Sequence, residues 1–177
     1  MEKHADIVYA ALNDDEMWRF FPALRPANLK ALRERYQRFA RGYPHSDGKE
    51  LWENWIVFLK RNGEPIGATQ ATIGPATQAY IAYGIHRAHW RKGYAAEAAR
   101  AVIDHLQLEH GIRTVFAEMN TKNYASVGLI ESLGFRRVQM RERVDSGNGL
   151  IGDEYLYELT LTPPFETPGL PGIARRP

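Results

Sequence analysis

The sequence predicts an α+β domain, one mixed sheet flanked by helices. Three observations carry this. Apolar residues recur with helical spacing in two early segments, with period two in the middle, and then in a helix, strand, helix, strand, strand order. Asn62-Gly63 separates two alternating runs, the signature of a tight hairpin turn. A small-residue helical run from Tyr94 closes at Gly111. With 177 residues, 44% of them hydrophobic and 25% charged, one domain has enough material for its own core.

In chain order, HADIVYAALND predicts a short helix. PANLKALRERYQRFARG predicts a longer one, with Leu29, Leu32, Tyr36 and Phe39 on one face. NWIVFLK and PIGATQATI form the hairpin, and a third strand follows at about 79–86. In the next helix Ala95, Ala98, Ala99, Val102, Ile103 and Leu106 share a face. RTVFAEM reads as a strand and NYASVGLIESL as a helix capped by Asn123 and stopped at Gly134, before the strands FRRVQMRERV and DEYLYELTL. The domain is drawn at 1–162, with 163–177 a Pro/Gly-rich extension.

Composition excludes several chemistries. The chain has no cysteine, which removes disulfides, thiolate nucleophiles and Cys-based metal sites. A net charge of +2 does not predict a nucleic-acid partner, and the Arg-Glu-Arg-Tyr-Gln-Arg stretch at 33–38 reads as the solvated face of a helix. MEKHADIVYA carries no apolar signal core, and WIVFL at 55–59 is too short to cross a bilayer. The expectations are a cytoplasmic protein with no membrane partner. His86 and His89 have an HxxH spacing, but without a third ligand pattern or HExxH no metal is predicted.

The stretch HWRKGYAAEAAR raises the question of an anion site. A helix that begins after a glycine exposes its first N–H groups at the positive end of its dipole, where phosphate is the natural guest. Gly93 permits close approach, Ala95 and Ala96 add no bulk, and Arg91 and Lys92 supply charge at the rim. The plainer alternative is an amphipathic helix that follows two basic residues. Neither GxxxxGK[ST] nor GxGxxG occurs, so a P-loop and a dinucleotide fingerprint are set aside.

Two segments together go further. YIAYGIHRAHWRKGYAAEA followed by MNTKNYASVGLIESLGF resembles the GNAT acetyltransferase family over about residues 50–160, in particular its RimJ/RimL-type branch of ribosomal-protein N-terminal acetyltransferase-like enzymes. The resemblance implies the acyl-CoA N-acyltransferase fold, with a single, mostly antiparallel mixed sheet, and acetyl-CoA as cosubstrate. It places the pyrophosphate on Arg91, Lys92, Gly93, Tyr94, Ala95 and Ala96, the pantetheine arm along main-chain groups of Ile85, His86 and Arg87, and a further cofactor contact at Asn123. Trp90 stands where the family consensus has Gln or Arg, as in that branch's WGKGYA variant. Many members carry a tyrosine general acid on the later helix where this chain has Ile130. Ser126, from the branch's N-x-x-S pattern, is the alternative. The family opens with a strand ahead of its first helix, whereas this chain opens almost directly into helix, so that first strand is expected to be missing.

The implied reaction is direct acetyl transfer to a primary amine, without a metal or a covalent enzyme intermediate. It requires a neutral amine, a donor for the developing oxyanion and a proton for the departing thiolate. A backbone N–H near His86 is the expected oxyanion donor, and Ser126 the proton source or relay; otherwise Ser126 simply supports the Asn123 cap. Glu118 is the candidate to orient water or hold the substrate ammonium, with a surface carboxylate as the alternative, and His86 is a second candidate base. An α-amine with pKa near ~8 is about 10% neutral at pH 7, against about one part in ~2,500 for a lysine near ~10.4. A weak base therefore favours a protein or peptide α-amine over a small-molecule amine. A non-catalytic acyl-CoA-binding regulatory module is the reading from another class, because Ile130 removes the usual acid. Trp18, Phe20, Phe21, Tyr36 and Trp52 line an acceptor pocket or pack the core. Arg136, Arg137, Arg141 and Arg143 attract an acidic partner or coat a sheet edge, and a homodimer is left open.

Overall fold

The structure is a computed structural model that describes residues 2–40, 50–145 and 151–162. The tail expected at 163–177 lies outside the described residues. The elements are α1 (Glu2–Leu12), α2 (Leu29–Ala40), β1 (Leu51–Phe58), β2 (Pro65–Ile73), β3 (Gln78–Ile85), α3 (Tyr94–His110), β4 (Thr114–Asn120), α4 (Tyr124–Ser132), β5 (Arg136–Asp145) and β6 (Ile151–Thr160). Short 3-10 turns at Pro22–Leu24 and Arg87–His89 were not anticipated. The described chain opens in α1 with no strand ahead of it, as expected. No helix of the described residues is long and apolar enough to cross a membrane.

Six strands form one sheet in the order β1-β2-β3-β4-β6-β5. Every pairing is antiparallel except β3 with β4. Alternation along the strands gives the sheet two faces. On one face Ala71, Ala79, Ile81, Val115, Ala117 and Met119 pack against Ala99, Val102, Ile103 and Leu106 of α3 and Ile130 of α4. On the other, Ile56 and Ala68 meet Ala5, Val8, Ala11 and Leu12 of α1 and Leu32 of α2. The α2 stripe forms as the sequence predicts, with Leu29 and Tyr36 half-buried beside Leu32. Its start is fixed by Asn28, whose Oδ1 accepts the Ala31 N–H at 2.9 Å.

β2 and β3 approach so closely at one point that only glycine fits. A Cβ on Gly67 would lie 2.1 Å from the Gly84 carbonyl oxygen. β5 is one of the two edge strands, opposite β1, and is exposed along almost its whole length, which favours the edge-coating role of its arginines. Arg137 lies 4.5 Å from the Tyr155 ring centroid, and Arg141 pairs with Glu118.

Candidate active site

The parallel pair is where the sheet opens. β3 and β4 share register only over Gln78–Tyr80 and Thr114–Phe116, although β3 runs on to Ile85 and β4 to Asn120. β2 stays paired with β3 as far as Ile85, and β6 with β4 as far as Asn120. The two strands therefore splay apart beyond Tyr80 and Phe116, whose rings stack at 5.2 Å at the vertex. Past the vertex, main-chain groups of β3 on its β4 side meet no neighbouring strand among the described residues.

The register identifies those groups. The His86 N–H donates to the Ile66 carbonyl at 2.8 Å, toward β2. Two-residue alternation in an antiparallel pair then turns Gly84 and Ala82 toward β2 as well, and Tyr83 and Ile85 toward the opening. The Arg87 N–H is also taken, donating to Asp14 Oδ2 at 2.8 Å. The expectation of an oxyanion donor near His86 is thereby narrowed: the His86 and Arg87 N–H groups are engaged, and those turned toward the opening are Tyr83 and Ile85. The His86 side chain is engaged too. Its Nδ1 accepts the Ala88 N–H at 3.3 Å, and its Nε2 lies 3.8 Å from Asp14 Oδ2, so it does not stand free as a base.

From β3 the chain turns into the start of α3. The Trp90 indole N–H donates to the Ile85 carbonyl at 2.5 Å, and the Lys92 ammonium donates to the Ala88 carbonyl at 2.9 Å, which compacts the turn. Gly93 adopts φ 83° and supplies no side-chain cap. The first α-helical bond runs from the Glu97 N–H to the Gly93 carbonyl at 3.0 Å, so the N–H groups of Tyr94, Ala95 and Ala96 project from the helix end. A Cβ on Gly93 would meet nothing within 4 Å, so the glycine serves the left-handed backbone and leaves the approach clear. Arg91 and Lys92 are exposed at this rim, while Tyr94 and Ala95 pack on Leu59, Ile66 and Ile85 and anchor the helix start.

Across the opening stands α4. Asn123 Oδ1 accepts the Ser126 N–H at 3.3 Å, and the Tyr83 hydroxyl donates to the Ser126 carbonyl at 3.5 Å. Burial pushes the Tyr83 phenol up to about 12. Ser126 is thereby brought to the cleft beside a β3 residue that the sequence reading did not single out. Ile130 is fully buried in the core. Glu118 lies on the opposite face from Tyr83, because Val115, Ala117 and Met119 take the core face of β4. It is exposed and ion-paired to Arg141. The structure therefore places Ser126 and Glu118 on opposite sides of the sheet.

Asp14 was also missed. Its carboxylate, 3% exposed, accepts the Arg87 N–H and, through Oδ1, the Glu16 N–H at 3.2 Å. It ties the segment after α1 to the turn that leads into α3. Of the aromatic set, Trp18 donates to the Leu12 carbonyl at 2.6 Å and Trp52 meets Phe39 edge-on at 5.8 Å, so both pack the α1–α2 side.

A splayed parallel strand pair whose open edge leads into an uncapped helix N-terminus defines an acyl-CoA-binding transferase site: unpaired amide groups suit a pantetheine arm, and the helix end suits a pyrophosphate. Residues 1–136 match the family model described as the acetyltransferase (GNAT) domain, and the chain belongs to that family. It is an acetyl-CoA-dependent N-acetyltransferase. It is 24% identical over 160 residues to the uncharacterized N-acetyltransferase YoaA of Bacillus subtilis (strain 168), covering 89% of this chain and 88% of that protein. Among solved structures it resembles RimL, a ribosomal L7/L12 alpha-N-protein acetyltransferase in complex with coenzyme A, with TM-score 0.76, 18% identity and coverage of 91% and 90%. A spermidine N-acetyltransferase SpeG chimera from Vibrio cholerae and hSSAT gives TM-score 0.73, 15% identity and coverage of 90% and 91%. At these identities the structural likeness speaks for the fold alone.

Proposed function

We propose that the acceptor is the α-amine of a protein or peptide, as in the RimJ/RimL-type branch. The observation that carries this reading is the pairing of Glu118: the carboxylate, on the β4 wall of the cleft, is held by Arg141 and does not stand free as a general base. An acceptor that is already partly neutral at pH 7 suits such a site, and an α-amine is one. The activity of RimL on a protein α-amine favours this reading, and that of SpeG on spermidine supplies the small-amine alternative.

In this reading acetyl-CoA supplies the activated acetyl thioester. The N–H groups of Tyr94, Ala95 and Ala96, with Arg91 and Lys92, hold its pyrophosphate, and the main chain of Tyr83 and Ile85 holds its pantetheine amides. Asn123 fixes the first turn of α4 against the cofactor. Ser126, with the Tyr83 hydroxyl beside it, relays a proton to the departing sulfur. Glu118 orients the incoming amine from the opposite face. The test is release of CoA thiol with a panel of peptides and a panel of small amines competing. Turnover of peptides at least ten times faster than of spermidine supports the proposal, and the reverse order overturns it. Cofactor binding with no transfer to any amine would instead support the non-catalytic module. Unchanged turnover in Ser126→Ala would remove Ser126 from the relay.

A further inference from the structure

We propose that Glu53, His105 and His110 form a binding site for a divalent transition-metal ion of the zinc class, which clamps β1 to the end of α3. Glu53 lies on β1 and both histidines lie on α3. The carboxylate divides its two oxygens between the rings: Oε2 is 3.0 Å from His105 Nε2, and Oε1 is 3.1 Å from His110 Nε2. One ligand atom from each of the three residues lies within 4.8 Å of the others. Two imidazoles and a carboxylate are a ligand set for zinc and its neighbours, not for magnesium or calcium, which prefer all-oxygen shells.

The geometry leaves room for an ion. Donors on a tetrahedral ion with bonds of ~2.0–2.2 Å stand about 3.3 Å apart, so the nitrogen–oxygen pairs need to widen only slightly while the rings swing inward. The side chains are 37%, 26% and 23% exposed for His105, Glu53 and His110, which gives an ion a path from solvent and a place for a water ligand. His105 is steadied by Trp55, edge-on at 5.4 Å, and borders a cleft of ≈ 260 Å³ between β1, β2 and α3. His110 sits in the last turn of α3, where the negative end of the helix dipole favours a cation. The cofactor cradle occupies the other end of that helix, about 25 Å away at 1.5 Å per residue. The clamp is separate from the chemistry.

Sequence inspection did not find this set. Glu53 precedes His105 by 52 residues and His110 by 57, and although the two histidines have an H-x-x-x-x-H spacing that zinc sites use, no cysteine pair or HExxH accompanies them in the sequence.

The test uses the untagged full chain after removal of metals with a chelator. Zinc is titrated by calorimetry, thermal unfolding is followed with and without zinc, and cobalt is added for its visible absorption. The expected result is one zinc per chain, a rise in Tm of about 5–10 °C at a hundredfold excess over Kd, and a cobalt spectrum of four-coordinate type. Glu53→Gln and His110→Ala should each weaken binding by at least about tenfold, and His105→Ala/His110→Ala should abolish it. His89→Ala should bind as the parent does, and circular dichroism of each chelated variant reports whether it folds. Zinc binding no tighter in the parent than in folded His105→Ala/His110→Ala, or binding that is lost with His89→Ala, overturns the proposal.

Discussion

Replacing Asp14 with Asn tests whether the segment after α1 positions the cofactor turn. The carboxylate accepts two main-chain N–H groups, from Arg87 at 2.8 Å and Glu16 at 3.2 Å. An amide has one acceptor oxygen, so in either orientation one of those donors faces an NH₂ group. Losing a hydrogen bond to a charged group costs about 1.5–3 kcal/mol, and both bonds lie in a partly buried position. Contacts with the Arg87 guanidinium add little, because that side chain is 65% exposed and 3.8 Å away. The sum is about 2–3 kcal/mol, or about 4–12 °C in Tm for a chain of this size. The Arg87 N–H lies at the exit of β3, so its release should also raise the KM for acetyl-CoA about fivefold or more and change kcat less. Scanning calorimetry and thiol-release kinetics read both effects. Asp15→Asn is the control, since Asp15 is 78% exposed in its pair with Arg25 and should move Tm by less than about 2 °C. A Tm within 1 °C of the parent together with an unchanged KM, for Asp14→Asn, would refute the reasoning.

Gly67→Ala should destabilise by about 3 kcal/mol or more, because its Cβ would sit 2.1 Å from the main-chain oxygen of Gly84 and neither strand can yield freely; urea unfolding measures this. Gly93→Ala meets no steric neighbour but must hold φ 83°, so it should cost about 1–2 kcal/mol and weaken coenzyme A binding in a calorimetric titration. Tyr83 gives a pH signature. Burial raises its phenol from 10.0 to about 12 in the folded state, so its contribution is intact below pH 10 and is lost as pH rises toward 12, where the unfolded chain ionises first. The parent should therefore lose about 1 kcal/mol more stability than Tyr83→Phe between pH 9 and 11, and parallel pH profiles for the two would contradict it.

Local features were legible in the sequence, and relations between distant segments were not. The α3 stripe, the Asn62-Gly63 turn and the Asn123 cap each depend on neighbours within a few residues, and each is present. The splay depends on which strands pair and for how long, and nothing inside YIAYGI specifies that β4 leaves β3 after Phe116. Asp14 reads as one loop acid among several, and only the fold brings Arg87 onto it. The face of Glu118 was available: Val115, Ala117 and Met119 alternate with it, so period-two counting turns it away from the α3 side.

The burial of Ile130 explains why this chain departs from the family's usual acid. A hydroxyl at a position that is 0% exposed, packed among α3, β4 and β6 residues, would have to find a buried partner or leave the core. An isoleucine there completes the apolar contact between α4 and the sheet. Ser126, on the first turn of α4, and Tyr83, on the open edge of β3, carry hydroxyls on this side of the sheet. The bond from the Tyr83 hydroxyl to the Ser126 main-chain carbonyl is long at 3.5 Å, so the phenol can exchange it for a new partner at little cost. Ile130 thus serves the core, and the hydroxyls proposed for the reaction stand elsewhere, at Ser126 and Tyr83. That division fits the proposed reaction, in which the acceptor comes from the sheet face opposite α4, where Glu118 and Arg141 stand.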